Sequence, residues 1–455
     1  MTNLKQNPFL ISPPQGSALQ RDWHTGAWPA RWIAHPQAAD LPSVAAYRRV
    51  FTVKEDITIR VHVSADERYT LYLDGARIGC GPERGDRHHW FFETYPLRLS
   101  AGEHHLVALV WALGEHAPLA QFGVSPGFIL ACDDPQWTVT LATGIASWET
   151  KRLDGMTFFK NNLGFGVGAN VDIDGARFTW GFERGLGADW IAPLVGVEGI
   201  SAGGFDQHGT LSTAHHLLPA TLPGMLAVPW RRGVVRHIAS VAGDTDLLSV
   251  PIRSADDLAN EHAAWDAVLR GAASVTVPPH MQRRVLIDLD DYVCAYTHLV
   301  TTGGAGAVVR VSWAESLYAD VIGAWWDIFR AQKGDRDAVE GKYYCGEGDI
   351  FRLDGGSRRV FENLWWKAGR YVEVLVATAD APLVLGNQLR REAIRAGGER
   401  RQHRKAGQFP VAGGGILAGR DLGQATESGH GRGVGRHALD GGDVAQSQHS
   451  QVGQA

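Results

Sequence analysis

The feature that most constrains this chain is a repeated period-two alternation cut at short intervals by turn-forming residues. In Ile59-Arg60-Val61-His62-Val63 every second residue is apolar, as a half-buried strand requires. Tyr69-Thr70-Leu71-Tyr72-Leu73 repeats the pattern and runs into Asp74-Gly75, a dipeptide suited to the positive φ angles of a tight hairpin. Ala76 to Gly79 then starts the return strand. Further strands are predicted at His104 to Trp111, Gly127 to Ala131 and Trp137 to Ala142, with Gly, Pro and Asp between them. Short strands at regular spacing bury one face only by packing sheet on sheet, so a jelly-roll-like antiparallel sandwich is expected.

A second strand-rich region begins near Val275 and ends near Leu385. Its clearest strands are Arg284 to Leu289, Ala307 to Trp313, Ile350 to Leu353 and Tyr371 to Ala377. Val309, Val311 and Trp313 share a face there, opposite Val308, Arg310 and Ser312, which puts Trp313 with the core set. Between the two regions lies a Gly-rich, irregular stretch with small strands, in which Asp256 to Leu269 has the makings of a short helix. The expected class is all-β: two antiparallel jelly-roll-like β-sandwiches joined by an irregular connector. The expected divisions are 1–29 as an N-terminal extension, 30–150 as the first sandwich, 151–274 as the connector, 275–385 as the second sandwich and 386–455 as a tail. At 455 residues the chain exceeds one ordinary core, which agrees with more than one domain.

After Leu385 the texture changes to a mixture of Gly, Arg, His, Gln and Ala. All sixteen tryptophans lie at or before Trp366, and the tail's one aromatic residue is Phe409. Such a segment has too little apolar surface to offset the entropy of ordering it, so disorder is expected. An RNA-binding role is the alternative, but regular Arg-Gly-Gly spacing and interleaved aromatics are missing. The abrupt switch reads as translation in a shifted frame, with the folded pattern ending near Leu385.

The formal net charge of -5 provides no basic face of the kind nucleic acid demands. No basic start followed by an apolar run opens the sequence, and nowhere do about 18 apolar residues run together. No membrane segment is predicted, and a cytoplasmic location is expected. Cys80, Cys132, Cys294 and Cys345 are scattered singly, so neither a disulfide framework nor a zinc site is indicated and reduced core thiols are expected. The pairs His88/His89, His104/His105 and His215/His216 place neighbouring rings on opposite strand faces, which disfavours a shared metal, and no metal site is assigned.

The segment SADERYTLYLDGARIGCGPERGDRHHWFFETYPL resembles a stretch of bacterial α-L-rhamnosidases, glycoside hydrolase family 78, written loosely as SADxRYxLYxNG, GPxRGD and HWxYxTYDL. HHLLPATLPGM resembles a linker of the same family. YTHLVTTGGAGAVVRVSWAESLY and the run from Lys333 to Leu385 resemble its next sandwich, so the likeness covers most of Ala30 to Leu385. It implies ancestry in enzymes that cleave terminal α-L-rhamnose with inversion, hence rhamnose-containing glycosides as partners. The family's catalytic carboxylates belong to an (α/α)6 barrel that follows the second sandwich. No catalytic residue is transferred to this sequence, and the chain is expected to retain accessory domains without hydrolysis. The alternative is a stand-alone lectin-like protein.

Sugar recognition combines an aromatic face with groups that hydrogen-bond hydroxyls. The loop between two predicted strands offers Glu83, Arg84, Asp86, His89 and Trp90 as candidate carbohydrate-binding residues, with His88 beside them. Trp90, followed by Phe91 and Phe92, equally suits the core, and Arg84 with Asp86 equally suits a loop-fixing pair. The resemblance also implies that calcium is possible in the first sandwich, though scattered acids such as Asp74 do not spell out a loop for it. Otherwise no cofactor is expected. Asp335, Asp337 and Glu340, with Arg336, form an acidic cluster better suited to a solvated connection or a domain contact than to catalysis. The pairs Trp325/Trp326 and Trp365/Trp366 are candidates for domain contacts.

Overall fold

A computed structural model describes residues 23, 26–119, 121–160, 168–202, 215–222, 229–242, 246–323 and 325–386. The compositional change after Leu385, with the expected tail and frame shift, falls outside the described residues beyond Gly386, as do the side chains of Trp325 and Trp326.

The described chain is all-β, in two sandwiches. One layer of the first is a five-stranded antiparallel sheet in the order Ala76–Gly81, Arg68–Leu73, Gly102–Ala112, Ser43–Val53, Glu149–Arg152. Ser43–Val53 pairs with Gly102–Ala112 without a register break, from Ser43 opposite Ala112 to Val53 opposite Gly102. That pairing fixes which side chains face inward along both strands. The opposing layer runs Ala27–Ala34, Leu194–Ser201, His216–Pro219, Trp90–Leu99, Ile57–Asp66, Gly127–Cys132 and closes on itself where Ile33 meets Phe128. Tyr47, Val61, Val63, Tyr69, Leu71, Phe128 and Leu130 fill the space between the layers. Burying a side chain of that size contributes about 1.5–3 kcal/mol.

The predicted hairpin is present. Leu73 pairs with Ala76 across Asp74 and Gly75, whose φ angles are 52° and 80°. The Asp74 carboxylate is occupied by this turn: Oδ1 accepts from the His105 backbone N–H at 2.8 Å and Oδ2 lies 2.8 Å from His104 Nδ1.

The alternation at Ile59–Val63 is also present, with a difference. Ile59, Val61 and Val63 face the core, but His62 on the other face is buried too, against Trp23, Trp28 and Phe92. Closure of the sheet covers that second face. His62 Nε2 lies 2.7 Å from Asp133 Oδ1, and Nδ1 lies 2.9 Å from Thr94 Oγ1.

The second sandwich packs a seven-stranded sheet on a four-stranded one. The larger runs Met156–Phe159, Asn170–Asp174, Glu347–Arg352, Val308–Ala314, Lys367–Ala377, Gln282–Ala295, Val234–Ser240. The smaller runs Ser274–Val277, Leu383–Gly386, His298–Gly303, Arg359–Glu362. Val309, Val311 and Trp313 join Phe351, Phe361 and Leu385 in its core, as the alternation predicts. Ser312, on the opposite face, is buried as well, whereas Arg310 is exposed.

Three local expectations are corrected. The strand predicted at Trp137 to Ala142 is a 3-10 turn, Pro135–Trp137, continuing into one helical turn, Thr138–Leu141; Asp134 starts it by accepting from the Gln136 backbone N–H. The helix expected over Asp256 to Leu269 is confined to His262–Leu269, preceded by two 3-10 turns. The four cysteines are free, but only Cys132 and Cys345 are buried; Cys80 is half-buried and Cys294 exposed.

The strands of the 151–274 segment are shared out. Leu194–Ser201 and His216–Pro219 complete the first sandwich, whereas Met156–Phe159, Asn170–Asp174 and Val234–Ser240 extend the second. Met156, Phe158 and Phe178 pack against apolar clusters of both, forming a continuous seam. Polar contacts reinforce it: Arg77 pairs with Glu362 at 3.1 Å, and the guanidinium groups of Arg68 and Arg84 lie 5.1 and 4.8 Å from the Trp365 ring centre. Among the described residues no helix is long and apolar enough to cross a membrane.

Candidate functional site

The five residues singled out in the Gly81 to Trp90 loop divide into four environments. Trp90 opens the strand Trp90–Leu99 and is 3% exposed; its Nε1 donates to the Ala65 carbonyl at 3.3 Å. Glu83 ties the loop to the chain beyond His216–Pro219, accepting from the backbone N–H groups of Thr221 at 2.5 Å and Leu222 at 2.9 Å. Arg84 turns toward the second sandwich and stacks on Trp365. Only Asp86 and His89 remain together at the surface. Asp86 Oδ1 accepts from the His88 backbone N–H at 2.8 Å and that of His89 at 3.0 Å, with His89 Nδ1 at 3.1 Å. Those backbone and imidazole contacts hold the Asp86 carboxyl below its ordinary range. Gly85 makes this turn possible, because a Cβ there would sit 1.8 Å from the His89 carbonyl oxygen.

The acidic cluster Asp335, Asp337 and Glu340 is spread through a local network. Asp335 Oδ1 accepts from the Asp337 backbone N–H at 2.9 Å, Asp337 pairs with Arg370 at 2.6 Å and Glu340 accepts from the Ser254 N–H at 2.8 Å. Arg336 pairs with Glu315 at 3.3 Å.

A different set of residues forms the more unusual environment. Asp66 ends the strand Ile57–Asp66 and Glu67 follows it through a cis peptide bond; the two are 0% and 5% exposed. Asp66 Oδ2 accepts from the backbone N–H groups of Val124 and Ser125, both at 2.7 Å, and lies 2.8 Å from His215 Nε2. Glu67 Oε2 accepts from the Leu113 N–H at 3.0 Å and Oε1 from that of Gly114 at 3.2 Å. The His215 ring is flanked by Trp32 and Trp90, each with its ring centre 4.3 Å away.

Three buried polar atoms in this cluster have no hydrogen-bond partner among the described residues: Asp66 Oδ1, His215 Nδ1 and Trp32 Nε1. Leaving a buried donor or acceptor unsatisfied costs about 1–3 kcal/mol each, so three in one place call for a reason. Gly123 lies at the surface beside Asp66 and Glu67. A Cβ on it would stand 3.2 Å from both Asp66 Oδ1 and Glu67 Oε1, so its missing side chain lets the backbone pass close to both carboxylates. Burial raises the Glu67 pKa against the opposing Leu113 and Gly114 N–H groups, and the neighbouring Asp66 charge adds to the rise. Chemically the cluster presents an acceptor, an indole donor and an imidazole nitrogen, the alternation that vicinal hydroxyl groups satisfy.

The sequence carried a signal for this site in SADERY, where two acids interrupt a run that is otherwise strand core. His215 lies 149 residues away from Asp66, beyond the reach of any local pattern. Calcium takes about six to eight oxygen ligands; among the described residues no three His, Cys, Asp or Glu side chains gather closely enough to hold a metal.

No protein-family model matches the sequence, and no curated protein matches it either. Among solved structures, the glycoside hydrolase family 78 rhamnosidase of Bacillus sp. GL1 superposes with a TM-score of 0.57 at 13% identity, over 79% of this chain and 54% of the other. The two folds are similar. The chain thus spans about half the length of that rhamnosidase-fold neighbour. The α-L-rhamnosidase from Dictyoglumus thermophilum gives a TM-score of 0.44 at 14% identity over 78% of this chain and 35% of its own. That from Aspergillus terreus gives 0.44 at 13% identity over 79% and 36%. At such identities the rhamnosidase-like fold of the two sandwiches is what the likeness establishes.

Proposed function

We propose that residues 27–386 are a carbohydrate-recognition assembly of the α-L-rhamnosidase kind, and that the first sandwich binds rhamnose-containing glycosides at the Asp66–His215–Trp32 cluster. The observation that carries this reading is the coincidence of three unpartnered buried polar atoms with the close approach of the side-chain-free Gly123 backbone to Asp66 and Glu67. A sugar's hydroxyl groups would satisfy those atoms and relieve their desolvation cost, while the flanking tryptophans exclude water from the new hydrogen bonds. The similarity to a family 78 rhamnosidase supports rhamnose as the sugar and ancestry in that family.

In this reading residues 27–386 recognise sugar without cleaving it. Inversion needs two carboxyls about 6.5–9.5 Å apart across a sugar-sized cleft. Asp335, Asp337 and Glu340 are instead engaged with backbone and arginine partners.

Calorimetric titration of the chain with methyl α-L-rhamnoside tests the proposal. Saturable binding, weakened about tenfold by Trp32→Phe through loss of one buried hydrogen bond, is expected. A flat titration at millimolar sugar with the protein folded would overturn it.

A further inference from the structure

A cavity lies at the junction of the first sandwich with the strand Met156–Phe159, and neither Asp66 nor His215 lines it. Its volume is about 160 Å³, well below the ~300–1,000 Å³ of pockets for drug-sized ligands, so it suits one small polar molecule. Val44 and Phe158 are among its lining residues, but the surface it presents is almost wholly polar; Thr157 offers a hydroxyl. Three charged side chains complete it: Arg152, Arg177 and Asp154.

The disposition of those charges is what distinguishes the cavity from an ordinary surface dent. Arg152 is anchored loosely, with Nη2 donating to the carbonyls of Asp40 at 3.3 Å and Pro42 at 3.4 Å; the Asp40 carboxylate is 3.9 Å away. Among the described residues the Arg177 guanidinium forms no ion pair, and the Asp154 carboxylate forms none. Two opposite charges therefore line one small cavity without meeting each other.

We propose that this cavity binds a carboxylated monosaccharide, a hexuronate, independently of the Asp66 site. A guanidinium matches a carboxylate with two parallel hydrogen bonds, which assigns the ligand's acid group to Arg177, with Arg152 adding positive charge. Asp154 repels a bare anion and accepts hydrogen bonds from hydroxyl groups, so it takes the ring hydroxyls at the other end, together with Thr157. A small inorganic anion satisfies the arginines and leaves Asp154 repulsive; a neutral sugar satisfies Asp154 and leaves Arg177 unpaired.

Calorimetric titration of the full chain with D-galacturonate, D-galactose and acetate distinguishes these cases. Galacturonate is expected to bind saturably, and Arg177→Gln to weaken it about tenfold or more, as loss of a charge-assisted pair does. Asp154→Asn is expected to weaken galacturonate and strengthen acetate. Because Arg177 and Asp154 are exposed, both variants should unfold at the temperature of the parent chain, which separates ligand loss from misfolding. Gly123→Ala should leave galacturonate binding unchanged, so failure at one site is distinguishable from failure at the other. Equal affinity for galactose and galacturonate, equal affinity for acetate and galacturonate, or no effect of Arg177→Gln would each overturn the proposal.

Discussion

Asp66 and His215 meet at 2.8 Å inside the first sandwich, with their side chains almost entirely shielded from solvent and Trp32 and Trp90 packed beside the imidazole. A buried charge-capable pair of this kind is not a source of stability by itself, since desolvation offsets most of its attraction. Its retention next to unpartnered polar atoms is what marks the site.

Gly123→Ala is expected to abolish rhamnoside binding while leaving the fold intact. The added methyl would stand 3.2 Å from Asp66 Oδ1 and Glu67 Oε1 and crowd any hydroxyl approaching those oxygens. Calorimetry reads the binding and a thermal melt reads the fold; undiminished affinity would place the ligand elsewhere.

Trp365 is buried beneath Arg68 and Arg84, which come from the other sandwich. Trp365→Ala should therefore destabilise the chain by about 3–5 kcal/mol, the range for removing a buried aromatic ring. It should also expose the seam between the sandwiches, which urea denaturation would report as a lower midpoint or a split transition.

Glu93 gives the folded protein a pH dependence near neutrality. Burial pushes its carboxyl up to about 7; the Glu83 backbone N–H opposes the rise, the Glu83 carboxylate adds to it and Arg68 opposes it. The folded state thus holds a proton that the unfolded chain releases near 4.5. This contribution to stability is complete below pH 4.5 and is lost as pH rises through about 7. Glu93→Gln, which mimics the protonated form, should flatten the unfolding free energy across that window, and an unchanged slope would assign the dependence to other groups.

Cys294 is the one exposed thiol among the four, whereas burial pushes Cys132 and Cys345 up to about 12. A thiolate-seeking reagent added to the native chain should modify Cys294 first and reach Cys132 and Cys345 only on unfolding. Peptide mass mapping after a short exposure checks the order.

Hydrolysis of an aryl α-L-rhamnoside by the purified chain is expected to be undetectable. Nitrophenol release that a single substitution within residues 27–386 abolishes would show a catalytic carboxylate pair there.

Much of the architecture was legible because strand signals are local. The alternation at Ile59–Val63, the Asp74-Gly75 turn and the inward set Val309, Val311 and Trp313 each depend on neighbours a few residues apart, and each is present. Trp137 to Ala142 was misjudged because its β-branched and aromatic residues suit a strand, while the capping carboxylate of Asp134 and Pro135 at the first position start a helical turn. The loop residues divided for a similar reason. Glu83 and Arg84 have polar side chains suited to a ligand, and distant partners, Thr221 and Trp365, took them instead.

The sequence alone determined the all-β class, the positions of the principal hairpins and the inward faces of the long strands, because each follows from periodicity and turn stereochemistry within a short window. Only the tertiary structure decided that His62 is buried on the nominally polar face and that strands of the 151–274 segment complete both sandwiches. It alone brought Asp66 to His215 and Arg68 to Trp365. Those outcomes depend on sheet closure and on which side chains remain unsatisfied once every backbone group is paired. No window of sequence contains both partners of such contacts.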